Sequence, residues 1–359
     1  MIPFVNLPAQ YKAHQSEINK TIEKVLHSGS YIGGLEVEAF ERELEQYIGI
    51  PQAITCASGT DAIFLALEAL GLKEGDEVLV PDFSFIAPAE CVRSLGGIPI
   101  FCDIHPSTFL IDENLIEKRI SSKTKGIVAV DLFGQCAAFD ALSKLCQKHG
   151  LWILEDAAQS FGASQNGKKA GSFGDISITS FYPTKPLGCY GDGGALFTHS
   201  EALAKRIRSL ANHGSSERYR HDYIGRNSRL DTIQAAILRV KLRHFDDELA
   251  IRVANAKRYD SFFSSFSDIS TPQINAGNFS TYAQYTLRSP KRKHWEALLQ
   301  EVGIPFCIHY PQALRKQPCF LDLKTEVNPI TDLACEEVFS LPVCAYSDVD
   351  LAMLIGRRV

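Results

Sequence analysis

No run of apolar residues in this chain approaches the ~18 needed to cross a bilayer, so no membrane span is expected. The first residues, Met1-Ile-Pro-Phe-Val-Asn6, have neither a basic region nor an apolar core, which predicts no signal peptide. A basic excess is also missing. The net charge is −5 and the pI about 6.1, which argues against nucleic acid as a main partner. The basic clusters at Arg206–Arg208 and Arg288–Lys293 read as solvated faces. The ten cysteines include no C-x-x-C pair and no short-spaced ligand set, so no metal site is predicted. Cys56, Cys91, Cys102 and Cys146 read as reduced core residues of a cytoplasmic protein. No G-x-G-x-x-G follows an early strand, internal repeats are absent, and no tract is of low complexity.

What remains is a chain of 359 residues, 45% hydrophobic and 22% charged, long enough for a sizeable core. Apolar spacing predicts helices over 16–29 and from about Val37 to Gly49, with Tyr31–Gly34 as a turn. From Gln52 the pattern changes. Short apolar runs at 52–57, 77–81, 98–102, 126–131, 151–155, 175–180 and 194–198 read as strands buried on both faces. Helices are predicted between them at 60–71, 86–95, 113–120 and 138–149, then at 201–212. This alternation implies an α/β fold with a mostly parallel sheet flanked by helices. Residues 213–227 read as a polar loop, followed by a helix to about Phe245 and another over 246–266. The rest, with an excursion at Ser267–Phe279, strands at 282–288 and 304–308 and a helix at 293–302, reads as a smaller α+β unit. The expected division is therefore 1–245 and 246–359; the final Gly356-Arg-Arg-Val359 carries no signal.

Open parallel sheets bind ligands where their strands end, so residues after strands are the informative ones. Ala57-Ser-Gly-Thr-Asp-Ala62 opens a helix. Its Ser and Thr suit a helix cap, and its glycine and free N–H groups suit an anion; both readings stand for this stretch alone. Phe83 and Phe85 follow the second strand, as core packing or as a platform for a flat ring. Asp156 and Gln159 follow the strand at 151–155, and Ser180 and Lys185 the strand at 175–180. Lys185 stands between Pro183 and Pro186, among Phe181, Tyr182 and Leu187. Such flanks predict a fixed, partly buried amine, and burial frees an amine for nucleophilic work.

Together these groups offer a phosphate cradle, a ring platform, a carboxylate and an amine. Pyridoxal 5′-phosphate requires all four: N–H groups and hydroxyls for its phosphate, an apolar face for its ring, an anion beside its pyridine nitrogen and a lysine for its aldehyde.

The order and spacing of Ser58-Gly-Thr-Asp-Ala62, Gly75-Asp-Glu-Val78, Glu155-Asp-Ala-Ala-Gln159, Ser180-Phe-Tyr-Pro-Thr-Lys185, Gly191-Asp-Gly-Gly194, Asn212-His-Gly214 and Asn227-Ser-Arg229 resemble those of the DegT/DnrJ-type nucleotide-sugar aminotransferases. The resemblance runs from about residue 3 to about 345. It implies the type I aminotransferase fold, with a large cofactor-binding domain and a smaller C-terminal one. It implies Lys185 as the Schiff-base lysine, Asp156 as the partner of the pyridine nitrogen and Gln159 as a residue beside the ring. It also implies Gly59, Thr60 and Ser180 as the phosphate site and Phe85 as the stacking aromatic. Asn227 matches an asparagine that reaches the phosphate from a second subunit, which implies a homodimer with composite sites. Arg229, His309 and Tyr310 match positions near the sugar nucleotide. Lysine rather than histidine at 185 implies transamination rather than dehydration.

Lys185–Ala195, Ser228–Gln234, Tyr282–Tyr285 and His309–Pro311 look most like enzymes acting on UDP-2-acetamido-2-deoxy-3-oxo-glucuronate with L-glutamate as donor. Those enzymes make diamino sugars for surface polysaccharide such as lipopolysaccharide O-antigen. A 4-keto sugar or a dTDP-linked 3-keto sugar is the alternative acceptor, and a non-catalytic sensor that binds the cofactor is a more distant one. Gln312-Ala-Leu-Arg315 departs from the family's pattern after the His-Tyr-Pro turn.

Overall fold

The computed structural model describes residues 2–347, 349 and 351. The stretch Gly356–Val359 lies outside the described residues.

Ten α-helices and one main sheet organise the described chain. Helices α1 (Leu7–Ser28) and α2 (Leu35–Ile48) come first. The first begins nine residues before its expected start at residue 16. Asn6 caps it by accepting the Ala9 N–H at 3.2 Å, and Pro8 suits the first turn. A cap and a proline leave no apolar period, so periodicity alone found only the later, amphipathic part. His14 then interrupts the helical backbone (φ −115, ψ 15).

Seven strands follow: β1 (Gln52–Cys56), β2 (Glu77–Pro81), β3 (Ile98–Cys102), β4 (Thr124–Val130), β5 (Trp152–Asp156), β6 (Ile176–Ser180) and β7 (Gly194–Thr198). They form one sheet in the order β1-β7-β6-β5-β4-β2-β3. Only β7 runs against its two neighbours. The carboxyl ends of β1, β2, β4, β5 and β6 therefore share one edge, where Cys56, Pro81, Val130, Asp156 and Ser180 lie. The connecting helices are α3 (Gly59–Ala69), α4 (Ala87–Ser94), the short α5 (Glu113–Ile116), α6 (Phe139–His149) and α7 (Glu201–Ala211). One face of the sheet packs on α3, α4 and α7 through Ile63, Leu67, Val92 and Ile207; the other packs on α6 through Phe139, Leu142 and Cys146.

Helix α8 (Thr232–Phe263) is one unbroken element of 32 residues, not the two helices expected on either side of residue 245. It contains no glycine or proline, so the polar run Asp246-Asp-Glu248 interrupts its apolar pattern without ending it. The helix crosses from one core to another. Ala235, Leu238, Phe245 and Leu249 pack with Phe181 and Phe197, whereas Ala256, Tyr259 and Phe263 pack with Tyr285, Trp295 and Phe339. The second core is built on β8 (Tyr285–Arg288), α9 (Arg292–Glu301) and β9 (Val338–Leu341), whereas α10 (Pro329–Glu337) packs on the first through Ala334 and Cys335. The strand expected at 304–308 is reduced to a single bridge between Cys307 and Ser340. Strand β8 pairs with β9 instead, an element the sequence had not marked.

Candidate active site

The floor of the site is the start of α3. Ser58 caps this helix by accepting the Asp61 N–H at 3.0 Å, so the serine serves the helix itself. The Gly59 and Thr60 N–H groups belong to the first turn and have no acceptor within the helix. Ser180, at the end of β6, lies directly against them. A Cβ at position 59 would stand 2.6 Å from the Ser180 Cβ and 3.0 Å from its hydroxyl. Only glycine allows this approach, and the result is a concave set of donors at the positive end of a helix. The arrangement fits a phosphate monoester.

Asp156 ends β5 and is buried. Burial pushes its carboxyl up, against the Ala158 N–H bonded at 3.0 Å and the charge of Lys185. Lys185 is half-buried at the apex of the loop after β6. Burial pushes its ammonium down and the charge of Asp156 pushes it up; burial wins. A carboxylate and an amine thus face one another across the mouth of the sheet, each shifted toward its neutral form. A protonated pyridine nitrogen beside Asp156 would reverse the first shift.

Gln159 is fixed at both ends. Its Oε1 accepts the Phe133 N–H at 2.9 Å, and its Nε2 donates to the Tyr310 hydroxyl at 3.0 Å. Phe133 and Tyr310 both hold left-handed backbone, at φ 59 and 58, and their rings stack at 6.4 Å and 12°. Aromatic residues rarely adopt this region, and such strain gathers at functional sites. Phe83 meets both rings edge-on and is buried, so it is the core aromatic of its pair. Phe85 is 54% exposed at the mouth, free to cover a flat ligand.

His309 approaches from the second core. Its Nδ1 lies 2.9 Å from the Ser340 hydroxyl, and Phe4 packs edge-on against its ring at 6.0 Å. Burial, then the charge of Lys185, pushes its imidazole down to about 4. It is therefore neutral near pH 7 and offers a hydrogen bond rather than a charge.

Among the described residues no hydrogen bond joins Asn227 or Arg229 to these groups. Both are exposed, alternating with buried Ser228 and Leu230. Ser228 faces inward and accepts the Ala57 N–H at 3.2 Å, next to the cradle.

Two buried cations escaped the reading from sequence. Arg315 was noted only as a departure from a family pattern. It anchors the His309–Tyr310 segment: its backbone N–H donates to Asp82 at 2.8 Å, and its guanidinium bonds Asp82 and, at 2.6 Å, Asp332. Asn328 also donates to Asp82, at 2.9 Å. Lys241, buried on α8, donates to the Gly188 carbonyl. Its signal was available: a lysine on the apolar face of a helix, four residues after Ile237 and four before Phe245.

A model of the DegT/DnrJ/EryC1/StrS aminotransferase family matches residues 12–351. The chain is 45% identical over 348 residues to a UDP-2-acetamido-2-deoxy-3-oxo-D-glucuronate aminotransferase of Pseudomonas aeruginosa, covering 97% of this chain and 96% of the other. The crystal structure of a DegT DnrJ EryC1 StrS aminotransferase from Brucella abortus is similar with a TM-score of 0.94 and 37% identity, over 99% and 97% of the two chains. The NtdA structure of Bacillus subtilis, with bound cofactor PMP, has a TM-score of 0.88 and 29% identity, over 96% and 80%.

Proposed function

The chain belongs to the DegT/DnrJ/EryC1/StrS aminotransferase family, and from that membership we propose that it moves the amino group of L-glutamate to the C3 keto group of UDP-2-acetamido-2-deoxy-3-oxo-glucuronate. Its sheet and flanking helices are those of the type I aminotransferase fold, and its cofactor is pyridoxal 5′-phosphate. The observation that carries the reading is the half-buried Lys185 amine, facing the buried Asp156 carboxylate beside the Gly59–Ser180 cradle.

When bound, the cofactor supplies a carbonyl carbon that takes up amines and a ring that accepts electrons. The chain does the rest. Gly59, Thr60 and Ser180 bind the phosphate. Asp156 holds a proton on the pyridine nitrogen. Gln159, whose Oε1 and one amide N–H are already bonded within the protein, would have its second amide N–H left to offer the cofactor. Lys185 Nζ takes the proton from the amine-bearing carbon of the donor, and in the second half of the cycle delivers one to C3 of the sugar. Burial keeps this amine below the usual lysine range and so closer to its working, unprotonated form.

A second copy of the chain completes the site. Tyr31, Ile32, Leu35, Phe85, Tyr182 and Ile224 are all exposed, although they are large and apolar. Phe85 and Tyr182 flank the mouth, and Asn227 and Arg229 are exposed on the same chain. A two-fold dimer covers such a surface and lets each protomer lend these two residues to the other. Arg229 then meets the sugar carboxylate. The ten free thiols, eight of them buried, suit the reducing cytoplasm, and the product is a diamino sugar for surface polysaccharide.

The test is a panel of UDP- and dTDP-ketosugars with L-glutamate, read by mass spectrometry, together with borohydride fixation and peptide mapping. Amination of the UDP-3-oxo-uronate and a modified Lys185 are expected. Mixing Lys185→Ala with Asn227→Ala chains should restore part of the activity in hybrid dimers. Preference for a 4-keto sugar would correct the substrate, and fixation elsewhere than Lys185 would sink the mechanism.

A further inference from the structure

The loop that carries Lys185 is held from beneath by a second lysine. Lys241 is 3% exposed, and its ammonium donates to the Gly188 carbonyl, three residues past Lys185. Among the described residues no carboxylate bonds it. The Tyr190 ring centroid lies 5.2 Å from its Nζ, and Glu248 and Arg252 act on it only through their opposed charges. An ammonium in apolar surroundings with one neutral acceptor is costly, and burial pushes it down to about 8. A methionine of similar length would fill the same space on α8 without that cost. The bond to Gly188 is what a methionine cannot replace.

The loop shows why the bond matters. The Phe181 N–H donates to Gly193 at 2.8 Å, Cys189 to Phe181 at 2.8 Å and Lys185 to Tyr182 at 2.9 Å. Residues 181–189 thus close on themselves with Lys185 at the far end. Gly188 turns so tightly that a Cβ there would collide with the Pro183 carbonyl. Gln234, two turns before Lys241 on the same face of α8, holds both backbone groups of Tyr190, at 2.8 and 3.3 Å. Helix α8 therefore grips the loop at residues 188 and 190. Loss of the first grip leaves a buried carbonyl unpaired on the Lys185 side, and the loop can satisfy it only by moving.

We propose that Lys241 is a positioning residue for transamination: its bond to the Gly188 carbonyl sets where the Lys185 amine stands relative to Asp156. The proposal rests on the reading of Lys185 as the reactive amine. The test compares the parent with Lys241→Met and Lys241→Arg. In Lys241→Met, kcat should fall about 10- to 100-fold with KM within about threefold, since a displacement of about 1 Å can cost a factor of this size. The thermal midpoint of the cofactor-free protein should hold or rise. The rate at which an acylating reagent labels Lys185 in that protein, read by mass spectrometry, should change at least threefold. Lys241→Arg, which keeps a cationic donor, should recover part of kcat. Should Lys241→Met not fold, Lys241→Leu, which likewise has no donor, carries the same comparison. A Lys241→Met protein within twofold of the parent in kcat and labelling overturns the proposal, as does a loss of kcat that Lys241→Arg does not relieve at all. If the parent itself fails to fix cofactor at Lys185, the reading of Lys185 falls first, and the labelling rates report that separately.

Discussion

Two loops reach the site from opposite sides, and each is held by a buried cation. Beneath Lys185, Lys241 has one neutral acceptor, the Gly188 carbonyl. Beneath His309 and Tyr310, Arg315 stands between Asp82 and Asp332. Burial pushes Lys241 down to about 8. Burial works on Arg315 too, but the charge of Asp82 and the bonds to Asp332 overcome it and hold the guanidinium above its usual range. Burial likewise pushes Asp82 up, and two N–H donors and the guanidinium oppose it. The difference is one of purpose. A cation locked between carboxylates fastens the segment after Tyr310 to the end of β2 and to α10, because removing it leaves the buried Asp82 carboxyl without its partner. A cation on a single carbonyl contributes little to folding and acts on position.

The largest effect expected is on stability. Arg315→Met leaves Asp82 buried without a counter-charge and should cost about 3–5 kcal/mol, read by urea unfolding at pH 7. Lys241→Met should hold or raise stability by the same measure. Equal costs would break the comparison.

pH separates the two sides next. The folded value of His309, about 4, lies below the unfolded value of about 6.5, so the unfolded chain binds more protons between them. This contribution to stability is complete above pH 6.5 and is lost as pH falls toward 4, by at most about 3 kcal/mol. Lys241 has its window at the other end. Its folded value of about 8 lies below about 10.4 unfolded, so stability should rise with pH between them. Urea midpoints of the parent against His309→Gln from pH 7 to 4, and against Lys241→Met from pH 7.5 to 10, measure both. Flat differences would mean that the two side chains are solvated.

The smallest effect belongs to Tyr310→Phe. It removes the acceptor of the Gln159 Nε2 but leaves Gln159 bonded to the Phe133 N–H. The cost should be about 0.5–1.5 kcal/mol in stability. A rise in KM for the ketosugar larger than the fall in kcat would assign the hydroxyl to substrate rather than to Gln159.

Much of this site was legible because it follows strands. Asp156, Ser180, Gly59 and Lys185 stand at strand ends or just beyond them, and short apolar runs are easy to see when both faces of a sheet are covered. The helices were less clear where their signal was not periodic. The start of α1 depends on a cap and a proline, and the length of α8 on the absence of breakers across a polar stretch. Phe133 and Arg315 gave little warning, and Lys241 only its place on an apolar helix face. Their roles lie in a backbone angle, two carboxylates and a carbonyl that are distant in sequence from them or fixed only by folding.

By itself, then, the amino-acid order determined the alternation of strands and helices, the edge where the site forms and the residue types gathered there. Those features are local: periodicity, glycine and the residue after each strand. Tertiary structure alone decided how the amine and the carboxylate are tuned and held. Burial sets the direction in which Lys185 and Asp156 shift, and burial is a property of everything packed around them. Lys241 and Arg315 are alike in sequence as basic residues near other basic residues; only their partners, one carbonyl against two carboxylates, make one a guide for the active-site loop and the other a lock on the segment after Tyr310.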